Sequence, residues 1–360
     1  MVRGAQIFVP QSCPACGAIQ RVRDQIGGYT LQEPLARSGL GVVFRAFDAD
    51  GTPLAVKILQ PPLASMSEDL DYFASEVWAV ARLNHPNCVR IFATGVEQGA
   101  AWIAMEWLAH GSLAARLAER GRLREAEVLA IGRQAATALG AAHAAGHTHR
   151  DLEPNNLVFA DPLTIKVTDF GQAALYQLAA DHLGAMWGLT SYVAPERLRN
   201  EPEEAPSDIY SLGAVLFHAL TGTPLRGGEP NGLVTLTLLE SEEVRVEEFV
   251  DGLHDQTASV LNRMLIAEPT QRFQHWSEVV AQLTKAGTLL ARRETSANVP
   301  PPPPWKSADR MGPRPAGLRS LLGCAVLVLV LLALIAGVGL VAWKQRLHPG
   351  PPAPAGSGHP

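Results

Sequence analysis

Leu54-Ala55-Val56-Lys57-Ile58-Leu59 reads as a buried strand that carries one charge its apolar neighbours cannot explain. An isolated ammonium cannot remain charged inside a core, so any fold this chain adopts must bring an anion to Lys57. Short β-rich runs such as Val42-Val43-Phe44 and Ala55-Val56-Lys57-Ile58 come early and predict a small sheet lobe. Later segments carry helical stripes: Ile131, Ala135, Ala138, Leu139 and Ala142 fall on one face, as do Ile209, Leu212, Val215, Leu216 and Ala219. The expected class is α+β, with two lobes in one large domain that a hydrophobic fraction of 47% can fill. A formal charge of −5 gives no basis for binding nucleic acid.

The chemistry is concentrated in His149-Arg150-Asp151-Leu152-Glu153-Pro154-Asn155-Asn156 and, downstream, in Asp169-Phe170-Gly171. One acceptor carboxylate, Asp151, stands beside two oxygen-bearing side chains, Asn156 and Asp169, of the kind that hold Mg²⁺. That is what phosphoryl transfer requires, because the protein's task there is to hold a metal-loaded triphosphate, orient a hydroxyl and neutralise charge. His143, His147 and His218 have no second ligand at metal spacing and read as packing or surface histidines.

With these strings in this order the chain resembles the protein-kinase family, specifically the bacterial serine/threonine kinases anchored by one membrane span, over Tyr29 to Leu283. The resemblance implies a two-lobed kinase fold in residues 29–285, with ATP and Mg²⁺ between the lobes and proteins as substrates. It implies that Lys57 meets the ATP phosphates and Glu76, that Asp151 is the catalytic carboxylate, and that Asn156 and Asp169 hold the metal. Gly39, Gly41, Val43, Ala55 and Glu106 would surround the nucleotide, with Met105 at the back of the adenine site. Asp208 would receive backbone N–H groups of the catalytic loop, and Glu196, in Ala194-Pro195-Glu196, would pair with Arg272. Arg150 matches the arginine that receives an activation-loop phosphate.

Several positions depart from the family. The phosphate-covering turn has Ala36 and Ser38 where two glycines are expected, which predicts weaker ATP binding. Glu153 reverses the charge of a lysine that reaches the transferred phosphate, and Leu189 after Gly188 removes that lysine's threonine partner. Two readings follow: a slow serine/threonine kinase, or a pseudokinase acting as a nucleotide-binding scaffold.

Beyond the catalytic domain, residues 286–320 form a linker in which Pro300 to Pro304 predict a polyproline spacer. Leu321 to Trp343 lacks formal charge, and as a helix it would cover about 34 Å, enough for a bilayer core. Lys306, Arg310, Arg314 and Arg319 precede it, against Lys344 and Arg346 after it, which orients the catalytic domain to the cytoplasm as a single-pass inner-membrane protein. Residues 344–360 make a short Pro/Gly-rich tail on the other side. Attachment would concentrate identical chains and favour self-association for phosphorylation in trans. In residues 1–28, Cys13-Pro14-Ala15-Cys16 supplies half of a Zn²⁺ site.

Overall fold

The computed structural model describes residues 11–12, 19–20, 24–38, 41–59, 81–97, 100–170, 191–199, 201–225 and 244–296. Two short strands, β1 (Gln11–Ser12) and β2 (Ile19–Gln20), pair with each other. An antiparallel six-stranded sheet follows, made of β3 (Gln25–Ile26), β4 (Tyr29–Ser38), β5 (Gly41–Phe47), β6 (Pro53–Leu59), β7 (Ile91–Glu97) and β8 (Ala100–Glu106), in spatial order β3-β4-β5-β6-β8-β7.

The sequence of β6 explains its place. Leu54 to Leu59 are all buried, as a strand flanked on both edges by β5 and β8 requires, whereas β5 alternates between buried and half-exposed positions. Lys57 is therefore held at the middle of the sheet, opposite Val43 on one side and Ile103 on the other. Phe44, Val56, Ile58, Trp102 and Ala104 form the core of this lobe. At the start of β5 a Cβ on Gly41 would lie 2.2 Å from the Ile58 carbonyl oxygen, so glycine is required there by the close approach of β6.

The chain leaves β8 into the helical lobe. Ser112 Oγ caps α1 (Leu113–Arg120) by accepting from Ala115 N at 3.2 Å. In α2 (Glu125–Ala144) the expected stripe is buried, and Gly132 and Gly140 admit Leu216 and Trp276 against the backbone. A hairpin of β9 (Leu157–Phe159) and β10 (Ile165–Val167) precedes the four-residue α3 (Pro195–Leu198) and α4 (Ala205–Thr221). α5 (Asp255–Met264) and α6 (Trp276–Ser296) complete the lobe, with α6 packed along α2.

α4 differs from its expected stripe. Ser207, Asp208, Tyr210 and Ser211 are buried along with the apolar residues, because the helix runs through the lobe's centre and its polar groups have internal partners. Among the described residues no helix is long and apolar enough to cross a membrane, and Leu321 to Trp343 lies outside them.

Candidate active site

The catalytic loop is built on Asp208. This fully buried carboxylate accepts from His149 N at 2.6 Å and Arg150 N at 2.8 Å; burial pushes it up, while the nearby His149 and these two amides pull it back. Between them they hold Arg150 at φ 64°, a left-handed conformation that costs a side-chain-bearing residue free energy and persists where its surroundings fix it. His149, also buried, donates from Nε2 to Thr168 O at 2.8 Å and accepts on Nδ1 from Asp151 N at 3.3 Å. Its ring packs on Phe170 at 4.8 Å. One histidine thus ties the loop carrying Asp151 to the segment carrying Asp169.

The other members join the same network. Asn156 Nδ2 donates to Asp151 O at 2.6 Å, and Thr168 N donates to Asn156 O at 2.9 Å. Asp169, at φ 67°, turns its Oδ2 to Lys57 Nζ at 3.0 Å. Lys57 is 2% exposed, and Asp169, brought from the other lobe, supplies an anion of the kind its apolar strand demands. Asp151 is half-buried; desolvation first and the like charge of Glu153 second raise its carboxyl to about 7, against the opposing pull of Arg197.

Above these residues lies a cleft of 450 Å³. Val43, Ala55, Val89, Met105 and Leu108 cluster into an apolar wall, and Lys57, Asp151, Asn156 and Asp169 line the polar end. Ala36 and Arg37 also line it, so the glycine-poor turn reaches the cavity. Glu106 contributes differently from its neighbours. Its Oε1 accepts from Arg90 N at 2.7 Å and from Lys166 Nζ at 2.6 Å, bracing β8 to β10, while its own N–H donates to Arg90 O at 2.9 Å. A groove of 610 Å³ between α2 and α6 is lined by small and apolar residues with Arg133 and Arg292, and has no acid or base for chemistry.

An apolar slot that ends in a lysine, two oxygen ligands and a half-buried carboxylate suits a nucleoside triphosphate with its metal. The protein kinase domain family matches residues 29–283 of this sequence. The chain belongs to the protein kinase family. The chain is 30% identical over 275 residues to the serine/threonine-protein kinase PknL of Mycobacterium tuberculosis, covering 76% of this chain and 69% of that one. It is 29% identical to the serine/threonine-protein kinase PrkC of Bacillus subtilis over 72% of this chain and 40% of that longer protein. The crystal structure of the Mycobacterium tuberculosis PknI kinase domain superposes with a TM-score of 0.59 at 27% identity, covering 73% of this chain and 97% of that one. The two-lobed fold, with a β-rich lobe ahead of a helical one, is the kinase fold.

Within the kinase domain the structure brings together Lys57, Asp151, Asn156 and Asp169, with Gly41, Val43, Ala55 and Glu106 in or beside the cleft. Glu76 and Gly39, together with Leu189, Cys13 and Cys16, lie outside the described residues. Among the described residues no group of three or more potential metal-ligating side chains appears. The buried Glu196–Arg272 pair is present at 2.7 and 2.8 Å. Burial raises Glu196, yet the guanidinium and the Ser207 hydroxyl outweigh it and hold the carboxyl below its ordinary range.

Glu153 lines the cleft. It is half-buried at the cleft, and its Oε1 accepts from Asn155 Nδ2 at 2.9 Å. Two contacts were not legible beforehand. Tyr192 OH lies 2.7 Å from His218 Nδ1, so His218 supports the segment before α3 and is more than packing. Arg197, in α3, donates to the Arg150 carbonyl oxygen and pairs with Glu203 at 3.7 Å. Its only sequence signal was a cation directly after the Ala194-Pro195-Glu196 string.

Proposed function

We propose that the chain is a catalytically competent serine/threonine protein kinase that transfers the ATP γ-phosphate to protein hydroxyls from the cytoplasmic face of a membrane. The observation that carries the reading is the Lys57–Asp169 contact of 3.0 Å above a loop that presents Asp151 and Asn156. Adenine fits the apolar wall, with the Glu106 to Leu108 backbone at its edge. Mg²⁺ fits the donor set: the Asn156 amide nitrogen is committed to the Asp151 carbonyl, which leaves the amide oxygen, and Asp169 supplies a carboxylate. When bound, the metal neutralises the triphosphate and the charge that develops on it. Lys57 orients the phosphates, and Asp151 accepts the substrate hydroxyl proton.

The membrane assignment rests on the uncharged stretch from Leu321 to Trp343 and the excess of basic residues before it. Glu153 favours a second reading, a nucleotide-binding scaffold, because its carboxylate adds negative charge where phosphate must be received. One comparison separates the two. Labelled phosphate transfer to a generic protein substrate by the full chain in Mg²⁺ is expected to fall by about a thousandfold or more in Asp151→Ala. Wild-type transfer equal to that of the variant, with ATP still bound, decides for the scaffold.

A further inference from the structure

The acceptor side of the cleft is rich in carboxylates, since Asp151, Glu153 and Asp169 all line it. A triphosphate brings more negative charge to the same place. Lys57 is committed to Asp169 on the sheet side. On the helical side the charged residues lining the small pocket around Asp151 and Glu153 are Arg150, Arg197 and Glu203.

Arg197 is placed there by more than chance. It follows Glu196, which is locked to Arg272 and Ser207 in the lobe's interior, so the four-residue turn cannot swing. From this anchored turn the Arg197 guanidinium donates to the carbonyl oxygen of Arg150, while Glu203 steadies its Nε at 3.7 Å. Arg150 is the residue held at φ 64°, and its N–H is already taken by Asp208. Both ends of the strained residue preceding Asp151 are therefore fixed, one by an anion and one by a cation. The side chain of Arg197 is 22% exposed, which weakens solvent screening of its charge.

We propose that Arg197 is a positioning residue for phosphate transfer: it clamps the Arg150–Asp151 backbone and sets a fixed positive charge on the acceptor side of the cleft, opposing Glu153. The inference rests on the kinase reading. It assigns part of the charge balance of this half of the site to α3, beside Arg150 of the catalytic loop. A preorganised cation costs no reorganisation at the moment of transfer.

The test uses the full chain in lipid vesicles, with a generic protein substrate and Mg²⁺-ATP. Arg197→Met is expected to lower kcat by about a hundredfold, the loss that a small misplacement of a catalytic group produces, with the KM for ATP little changed. Arg197→Lys, which keeps the charge, recovers part of the rate. Adding Glu153→Gln to Arg197→Met also recovers part of it, because the charge that Arg197 opposes has gone. An unchanged kcat in Arg197→Met overturns the proposal. So does a loss that neither Arg197→Lys nor Glu153→Gln relieves and that follows a lowered melting temperature, since that pattern belongs to a purely structural tie. Wild-type transfer no faster than Asp151→Ala removes the kinase reading and this proposal with it, and is distinguished by that control alone.

Discussion

The two sides of the cleft are held by different physics. On the nucleotide side, Lys57 is fixed by the register of β6 between β5 and β8, the adenine wall is apolar, and the Lys57–Asp169 ion pair has its ammonium buried. On the acceptor side, Asp151, Glu153, Arg197 and Glu203 are charges on loops and a short turn, only partly shielded from water. A side chain fixed by sheet register has little freedom to be replaced. A charge on a loop can be exchanged for another arrangement if the local sum is kept, and the charge-reversing departure at Glu153 falls on that side, in the pocket that Arg197 also lines. The difference predicts that stability is most sensitive below and above the cleft, and rate is most sensitive at its acceptor edge.

The largest expected effect belongs to the scaffold beneath the acceptor side. Arg272→Ala leaves Glu196 buried without its cation, which costs about 3–5 kcal/mol in denaturant unfolding. Arg272 also donates to the carbonyls of Ile266, Ala267 and Pro206, so those acceptors are orphaned together. The pair has a pH signature. Because Glu196 is held below its unfolded value, its contribution is complete above the ordinary carboxylate range and is lost as pH falls through the folded value. Wild-type melting temperature should therefore drop more steeply in acid than that of the variant, and equal slopes would break the assignment.

Next comes the sheet side. Gly41→Ala places a Cβ 2.2 Å from the Ile58 carbonyl oxygen, which is backbone of the strand that carries Lys57. The neighbouring strand must shift, at about 1–3 kcal/mol by analogy with overpacked cores. The disturbance is one residue from Lys57, so ATP affinity should fall with stability. A variant that lost neither would mean that the sheet side is as tolerant as the acceptor side, and the comparison would fail.

How far the sequence disclosed this site follows the same division. Lys57 was legible because a lone charge in an apolar strand has no other explanation, and Asp151, Asn156 and Asp169 because they occur in an ordered set of strings. In α4, Asp208 was legible through the family resemblance as the acceptor of catalytic-loop N–H groups, whereas Ser207 and Ser211 were not legible as core, since they look like a solvent face until their partners on Glu196 and on the preceding turn of the helix are known. Arg197 was silent for a related reason. Its partner is a backbone carbonyl 47 residues away, and a carbonyl has no sequence signature. His218 was read as packing because its bond to Tyr192 spans 26 residues. Residue strings disclose side chains that must meet chemistry, and they conceal those that meet the main chain.

The smallest effect is the most informative about charge balance. Glu153 is the leading electrostatic cause, after desolvation, of the raised Asp151 carboxyl at about 7. A protonated Asp151 cannot accept the substrate proton, so kcat/KM should rise with pH through about 7, the acidic limb reporting the unliganded protein. Glu153→Lys removes a like charge and supplies an opposite one, and both changes favour the ionised form. The limb should move to lower pH while staying above the ordinary carboxylate range, because the burial of Asp151 is untouched. Turnover at neutral pH should rise by about tenfold, equivalent to about 1.4 kcal/mol, from the larger ionised fraction and from the cation now facing the phosphate. If the limb moves but turnover does not rise, the acceptor side is already balanced by Arg197, and the lysine adds a charge the site no longer needs. If neither moves, the Glu153 carboxylate is screened at its contact with Asn155, and the acceptor side owes its character to burial alone.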